Sequence, residues 1–321
     1  MSESKTTSKS HSSIQGLGLI EKFRENIQLL RMRLRGTSGA ETFDSIFNTF
    51  DEYDSELKAR VGISLADAKI LEIGYGARPN ELMALTSLGI DAIGIDLDRP
   101  TLKLTPSIVL DIYRRNGWER ALKSTVRGLL FDRGERKALA EAVRRRGGDL
   151  RIMPDKFLVG DASTAQFPAS SFDLIYSENV FEHIPAQALP PLINNIAVWL
   201  KPTGLALIRP DVFTGISGSH LAEWYPHTVD NQHLSRRAEP WEHLRKRRFG
   251  ANCFLNELRL RDYRTLFGEH FDIVNERFEN PDRGKQYLSP SIRQELAEYD
   301  DEELFANRVL FVLKPIRRVA N

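Results

Sequence analysis

Two acids and two glycines carry the first chemical signal in this chain: Glu72-x-Gly74-x-Gly76, followed by Asp96 at the end of Ile93-Gly94-Ile95. Glycine lets the backbone turn sharply and lets a ligand lie against it with no side chain between. An acid at the tip of a neighbouring strand can accept hydrogen bonds from both hydroxyls of a ribose. A third acid, Asp161, follows the short apolar run Phe157-Leu158-Val159, and Ser177-Glu178 closes another run, Leu174-Ile175-Tyr176. The histidines His183, His220, His227 and His233 are the candidates for moving a proton, because imidazole titrates near neutrality.

Those residues need a scaffold that brings their strand ends together. Apolar runs that each end in an acid or glycine describe parallel strands with a shared carboxyl edge. Such an edge binds nucleosides. A dinucleotide fingerprint requires a third glycine where Pro79 stands, so that reading is disfavoured. Leu192-Ile193-Asn194-Asn195-Ile196-Ala197-Val198-Trp199-Leu200 has helical spacing. Lys201-Pro202-Thr203-Gly204 is expected to stop that helix before a fifth strand from Leu205. A helix over Leu255–Phe267, a sixth strand over Phe271–Val274 and a seventh over Ala306–Leu313 complete the pattern.

An acid placed before Gly-x-Gly resembles motif I of the class I S-adenosylmethionine-dependent methyltransferases. The later segments follow that family's order. Glu178-Asn179-Val180-Phe181-Glu182-His183-Ile184 resembles the segment after strand four in the methyltransferase type 11 subgroup. Lys201-Pro202-Thr203-Gly204 is similar to the family's turn before strand five. The resemblance covers residues 65–212 continuously, plus the C-terminal strands. It implies an α/β fold with a Rossmann-like, doubly wound sheet of seven strands, mostly parallel with an antiparallel last strand.

It also implies the cofactor S-adenosylmethionine and a role for each position. Gly74 and Gly76 would let the backbone approach the ligand, and Glu72 would orient that loop and favour the ligand's ammonium. Asp96 would take the ribose hydroxyls, Asp161 the adenine amino group, and the Ala162 amide a ring nitrogen. Ser177 and Glu178 would line the methionine end. Arg78 departs from the family, which usually carries a third glycine there; its guanidinium could pair with the cofactor carboxylate or turn outward. The Asn/Asp-Pro-Pro-Tyr/Phe signature of amino-methylating DNA enzymes is missing after strand four.

Length and composition set the bounds. At 321 residues and 41% hydrophobic content the chain can bury a large core or a core plus a cap. No apolar run is long enough to span a bilayer. The single cysteine, Cys253, excludes a disulfide framework and any cysteine-based metal cluster, and suits a cytoplasmic location. Net charge is +1, so no nucleic-acid partner is expected. Residues 1–13 read as a disordered tail and 14–64 as an N-terminal helical cap, with stripes at Ile20, Phe23, Ile27, Leu30, Leu34 and at Phe43, Ile46, Phe47, Phe50. The remainder, 65–321, reads as the catalytic domain. Thr101–Ile112 is its expected crossover helix, a helical insertion follows over about 113–150, and a substrate loop spans about 211–256. The insertion is rich in arginine and could form a basic lid over an anionic acceptor; a solvated helix face explains the same residues.

Methyl transfer to a hydroxyl oxygen of a small or medium-sized acceptor is the expected activity, with His183, His220 or His227 as base. No metal is expected; His220, Glu223 and His227 could bind zinc by type, but their spacing matches no established motif. Two alternatives stand beside this reading: a catalytically silent scaffold on the same fold, suggested by Arg78, and a nicotinamide-dependent oxidoreductase. Oligomeric state and acceptor identity have no signal in the sequence.

Overall fold

The structure, a computed structural model, describes residues 39–100 and 132–316, apart from 232, 233, 250 and 252, together with isolated positions between 102 and 125. Its strands are β1 (Lys69–Ile73), β2 (Asp91–Asp96), β3 (Phe157–Val159), β4 (Phe172–Glu178), β5 (Leu200–Arg209), β6 (Phe271–Phe278) and β7 (Val309–Pro315). The main helices among the described residues are α1 (Gly39–Arg60), α2 (Asn80–Ser87), α3 (Asp132–Arg145), α4 (Leu189–Trp199) and, further on, one over Leu260–Gly268. Two single-turn helices, α5 (Pro226–Val229) and α6 (Glu242–Arg245), precede the last of these, which is α7. Two more, α8 (Pro290–Glu295) and α9 (Asp301–Phe305), lie before β7.

All seven strands join one sheet in the order β3-β2-β1-β4-β5-β7-β6. The β1–β5 pairs are parallel, and β7 runs antiparallel to both neighbours. This is the doubly wound, mostly parallel sheet expected from the sequence. Its central strands are buried on both faces, as parallel strands covered by helices must be. Strand order reverses between β1 and β4, and ligands of such sheets bind at the carboxyl ends beside that reversal.

One face packs α1, α2 and α3; the other packs α4 and α7. Phe43, Phe47, Phe50, Tyr53 and Leu57 of α1 form one helical stripe and share an apolar cluster with Ile70, Leu174, Leu205 and Val312 of the sheet, with the Tyr53 ring 5.3 Å from that of Tyr176. The α1 stripe read as a cap is thus part of the main core. Residues 14–38 of that expected cap, and most of Thr101–Ile112, lie outside the described residues.

Lys201–Gly204 is not the separate turn expected before strand five. The chain enters β5 straight from α4, and pairing with β4 slips between Phe172 and Leu174 to absorb the irregularity. Gly204 is required there, since a Cβ would meet the Asp173 carbonyl oxygen at 3.0 Å.

The irregular stretch 211–256 is a packed unit, not an open loop. Ile216, Leu221, Trp224, Val229, Ala238 and Trp241 share an apolar cluster with Leu296, Tyr299, Leu304 and Phe305. Its backbone is satisfied by short-range turn bonds and by side chains: Arg236 donates to the carbonyls of Glu223, Thr228, Val229 and Asn231. Periodicity is lost because the backbone is satisfied this way and not by long helices or ladders.

Candidate active site at the sheet edge

The turn after β1 is built on two left-handed glycines, Gly74 (φ +83°) and Gly76 (φ +66°), which any other residue would enter with strain. Gly74 donates its N–H to the Ile95 carbonyl (2.8 Å) and has Val180 packed against its Cα, so a Cβ there would clash at 2.4 Å. Gly76 faces open space. Asp96 organises the loop: its Oδ2 accepts from the Gly76 N–H (2.8 Å) and its Oδ1 from the Asp98 N–H (2.7 Å). Ser177 is buried and its hydroxyl donates to the Ile73 carbonyl (2.8 Å), tying β4 to the end of β1.

Beneath this turn lies a group of buried carboxyls. Glu72 is 5% exposed, and its Oε2 has no hydrogen-bond partner among the described residues. Burial pushes the Glu72 carboxyl well up, helped by the charge of Glu81. Burial also raises Glu81 to about 7 and Glu178 to about 8, in both cases against the pull of Arg209. Glu178 accepts from the Tyr53 hydroxyl of α1. Arg209 is shared among Glu178, Glu52 and Glu279. Arg277 and Arg308 pair with the outer carboxyls, Glu52 and Glu279, and no arginine pairs with Glu72 or Glu81 among the described residues, so the floor at those two favours a cation. An orphaned buried carboxylate oxygen and an open glycine turn fit a ligand bearing an ammonium and a sulfonium.

Arg78 is engaged by both carboxylate oxygens of Glu135, which holds the glycine loop to α3. Asp161 lies at the end of β3, where its Oδ1 accepts from the Ser163 N–H (2.8 Å) and hydroxyl (2.7 Å). The Ala162 carbonyl accepts from Asn195 at 3.4 Å. The structure therefore brings Glu72, Gly74, Gly76, Asp96, Ser177 and Glu178 to one edge, with Asp161 and Ala162 at the neighbouring strand end.

A second cluster sits where β4 and β5 end. His183 closes the turn Phe181–His183, and its Nδ1 lies 2.9 Å from the Phe254 carbonyl. His220 faces Asp211 through Nε2 (3.3 Å) and Cys253 through Nδ1 (3.7 Å). The two imidazoles meet edge to face at 5.1 Å. Asp211 is anchored by Arg308 (2.7 Å). Burial opposes the charge on His220, but Asp211 and Cys253 outweigh it and push the imidazole up to about 10. Burial also opposes the Cys253 thiolate, yet the two histidines bring it down to about 7. Glu182 is buried, and neither of its oxygens has a hydrogen-bond partner among the described residues.

The other loop candidates separate from this cluster. Glu223 turns away, accepting from the Ala238 N–H (2.6 Å) and pairing with Arg237 (3.7 Å). His227 contributes backbone to α5, and its side chain, like all of His233, lies outside the described residues. His243 is buried against the Phe213 carbonyl (2.8 Å), and burial lowers it to about 4, so it is a neutral core histidine. Sequence reasoning gave no role to Tyr53, Glu81, Asp211 or Cys253. Asp211 had a usable signal, since it lies two residues beyond the end of β5; the other three had none.

Strand order, reversal point and acid-glycine edge together define a Rossmann-like fold of the class I methyltransferase type. A family model described as a methyltransferase domain matches residues 47–269, more than half of the chain, and the protein belongs to that family; S-adenosylmethionine is its cofactor. The chain is 40% identical over 52 residues to a phosphoethanolamine N-methyltransferase of Plasmodium falciparum, a match covering 16% of this chain and 20% of that one. It is 43% identical over 53 residues to phosphoethanolamine N-methyltransferase 1 of Arabidopsis thaliana, covering 16% and 10%. The chain thus matches a fifth or less of these relatives' lengths. A TehB-like SAM-dependent methyltransferase structure from Corynebacterium glutamicum is 14% identical with a TM-score of 0.39, covering 93% of this chain and 100% of that one. No described helix is long and apolar enough to cross a membrane.

Proposed function

We propose that this protein transfers a methyl group from S-adenosylmethionine to a hydroxyl oxygen of a small acceptor, in the reducing cytoplasm that its lone cysteine suits. When bound, the cofactor supplies an electrophilic methyl on a sulfonium. Gly74 and Gly76 would admit its backbone-facing edge, Asp96 its ribose, Asp161 and Ala162 its adenine, and Glu72, Ser177 and Glu178 its methionine end. Arg78, tied to Glu135, would hold the loop and not the cofactor.

The observation that carries the acceptor reading is the orientation of His183. Its Nδ1 lies against a carbonyl oxygen, so in the neutral ring Nδ1 carries the proton and the lone pair falls on Nε2. Burial favours that neutral ring, although Cys253, the Phe254 carbonyl and Glu182 together raise the pKa at which it becomes neutral. That lone pair sits beside Glu182 and His220, one strand away from the glycine turn. It suits removal of a hydroxyl proton as the methyl is transferred. The short matches to phosphoethanolamine N-methyltransferases favour a second reading, an amine acceptor. An anionic acceptor has support only in the basic insertion, two of whose arginines, Arg145 and Arg146, are already paired with Asp44 and Asp51 of α1.

The test measures S-adenosylhomocysteine release with matched hydroxyl and amine acceptors. His183→Gln is expected to lower kcat on the hydroxyl acceptor by about 10²–10⁴-fold with cofactor affinity unchanged. Turnover of amines alone, or an unaltered kcat in the variant, would overturn the oxygen reading.

A further inference from the structure

We infer that His183, His220 and Cys253 form a binding site for one divalent transition metal of the zinc type, with a fourth coordination position left open. One ligand atom from each of the three lies within 4.8 Å of the others. A zinc ion with Zn–N near 2.05 Å and Zn–S near 2.3 Å sets a tetrahedral N···S edge of about 3.6 Å. The His220 Nδ1 to Cys253 Sγ distance is 3.7 Å. A thiolate with two imidazoles selects zinc or cobalt over magnesium or calcium, which prefer oxygen.

The surroundings supply what metal-binding histidines need on their far nitrogens. His183 Nδ1 faces the Phe254 carbonyl at 2.9 Å, leaving Nε2 for the ion. His220 Nε2 faces the Asp211 carboxylate at 3.3 Å, leaving Nδ1. Asp211 is fixed in turn by Arg308. Carboxylate or carbonyl behind each imidazole is the arrangement that fixes tautomer and ring orientation in metal sites. An independent observation also favours a cation here. Glu182, 3% exposed, has both carboxylate oxygens buried without a hydrogen-bond partner among the described residues, one of them 3.9 Å from His183 Nε2. Cys253 is exposed, which gives the ion an entry path and keeps the fourth position accessible.

Three-ligand sites with an open position are the catalytic kind, and a hydroxyl held there ionises more readily. This role for the open position rests on the hydroxyl acceptor proposed above and replaces the free His183 Nε2 as base; the binding of the ion rests on neither. The two histidines would then act as ligands, and the metal would take over from His183 the lowering of the hydroxyl's proton affinity. The site differs from the His220, Glu223 and His227 set considered in the sequence, because Glu223 faces Ala238. One thiolate is enough in a mixed site, so the single cysteine does not exclude it.

The test titrates the metal-stripped full chain with cobalt(II) and zinc(II). One equivalent of cobalt should bind per chain and develop a thiolate-to-cobalt charge-transfer band. Cys253→Ser, at an exposed position that does not threaten the fold, should abolish that band. Asp211→Asn, checked for folding by circular dichroism, should weaken zinc binding by about 10–100-fold. Absence of stoichiometric binding by the wild-type chain, or a cobalt spectrum unchanged in Cys253→Ser, would overturn the site. S-adenosylmethionine is titrated separately into the stripped chain. Its failure to bind would sink the transferase reading, whereas failure of cobalt alone would sink only the metal.

Discussion

The buried carboxyls under the glycine turn give the cofactor site a pH signature. Free glutamate ionises near 4.5, whereas Glu81 and Glu178 hold their protons to about 7 and about 8. Between those values the folded chain retains protons that the unfolded chain has lost, so these two groups erode stability as pH rises from about 4.5 to 8. A bound cation reverses the preference by favouring their ionised forms. S-adenosylmethionine affinity should therefore rise as pH increases from 6.5 to 8.5, by about tenfold for each unit of pKa displaced. Protons should be released on binding, seen as buffer-dependent calorimetric heats. S-adenosylhomocysteine, lacking the sulfonium, should show a shallower slope; identical slopes would refute a carboxyl floor matched to the cation. Gly74, Gly76 and Asp96 were legible because strand-end acids and glycines keep their meaning locally. The His183, His220 and Cys253 cluster was not, because three distant segments meet there only through contacts such as Asn256 with the carbonyls of Phe181 and Ile184.

At the scale of elements, α1 separates what its stripe showed from what it concealed. Phe43, Phe47 and Phe50 announce a helix, but spacing alone cannot tell a detachable cap from a core helix. Burial decides: Tyr53 and Leu57 are fully buried against the sheet, and Tyr53 and Glu52 bind Glu178 and Arg209 at the ends of β4 and β5. Leu57→Ala should cost about 2–5 kcal/mol in urea unfolding, through lost burial and the cavity left behind. Arg146→Ala should cost only about 0.2–1 kcal/mol, because its pair with Asp51 is largely solvated. A Leu57→Ala chain as stable as the wild type would show that α1 is dispensable to the core.

Across the whole molecule, described residues between 216 and 249 and between 287 and 305 share one apolar cluster. Trp224, Trp241 and His243 lie in the stretch expected as a substrate loop, and functional and packing aromatics share the same side chains. Only their burial distinguishes them. Trypsin should spare Arg245, whose side chain is 5% exposed within a buried turn of helix, until the protein unfolds globally in urea. Cleavage there under native conditions would mean that the segment is an open loop after all.

The placement of β7 also bears on how the chain is made. Among the described strands β6 pairs only with β7, yet β7 comes after it in sequence and sits between β5 and β6. On the ribosome, β6 emerges first and has no neighbour to join. A nascent chain that has not yet released residues 309–315 leaves two strands, β5 and β6, each with an unpaired edge. The last strand of the sheet is a keystone, and until it arrives the vectorially synthesised polypeptide depends on whatever shields those edges from other chains.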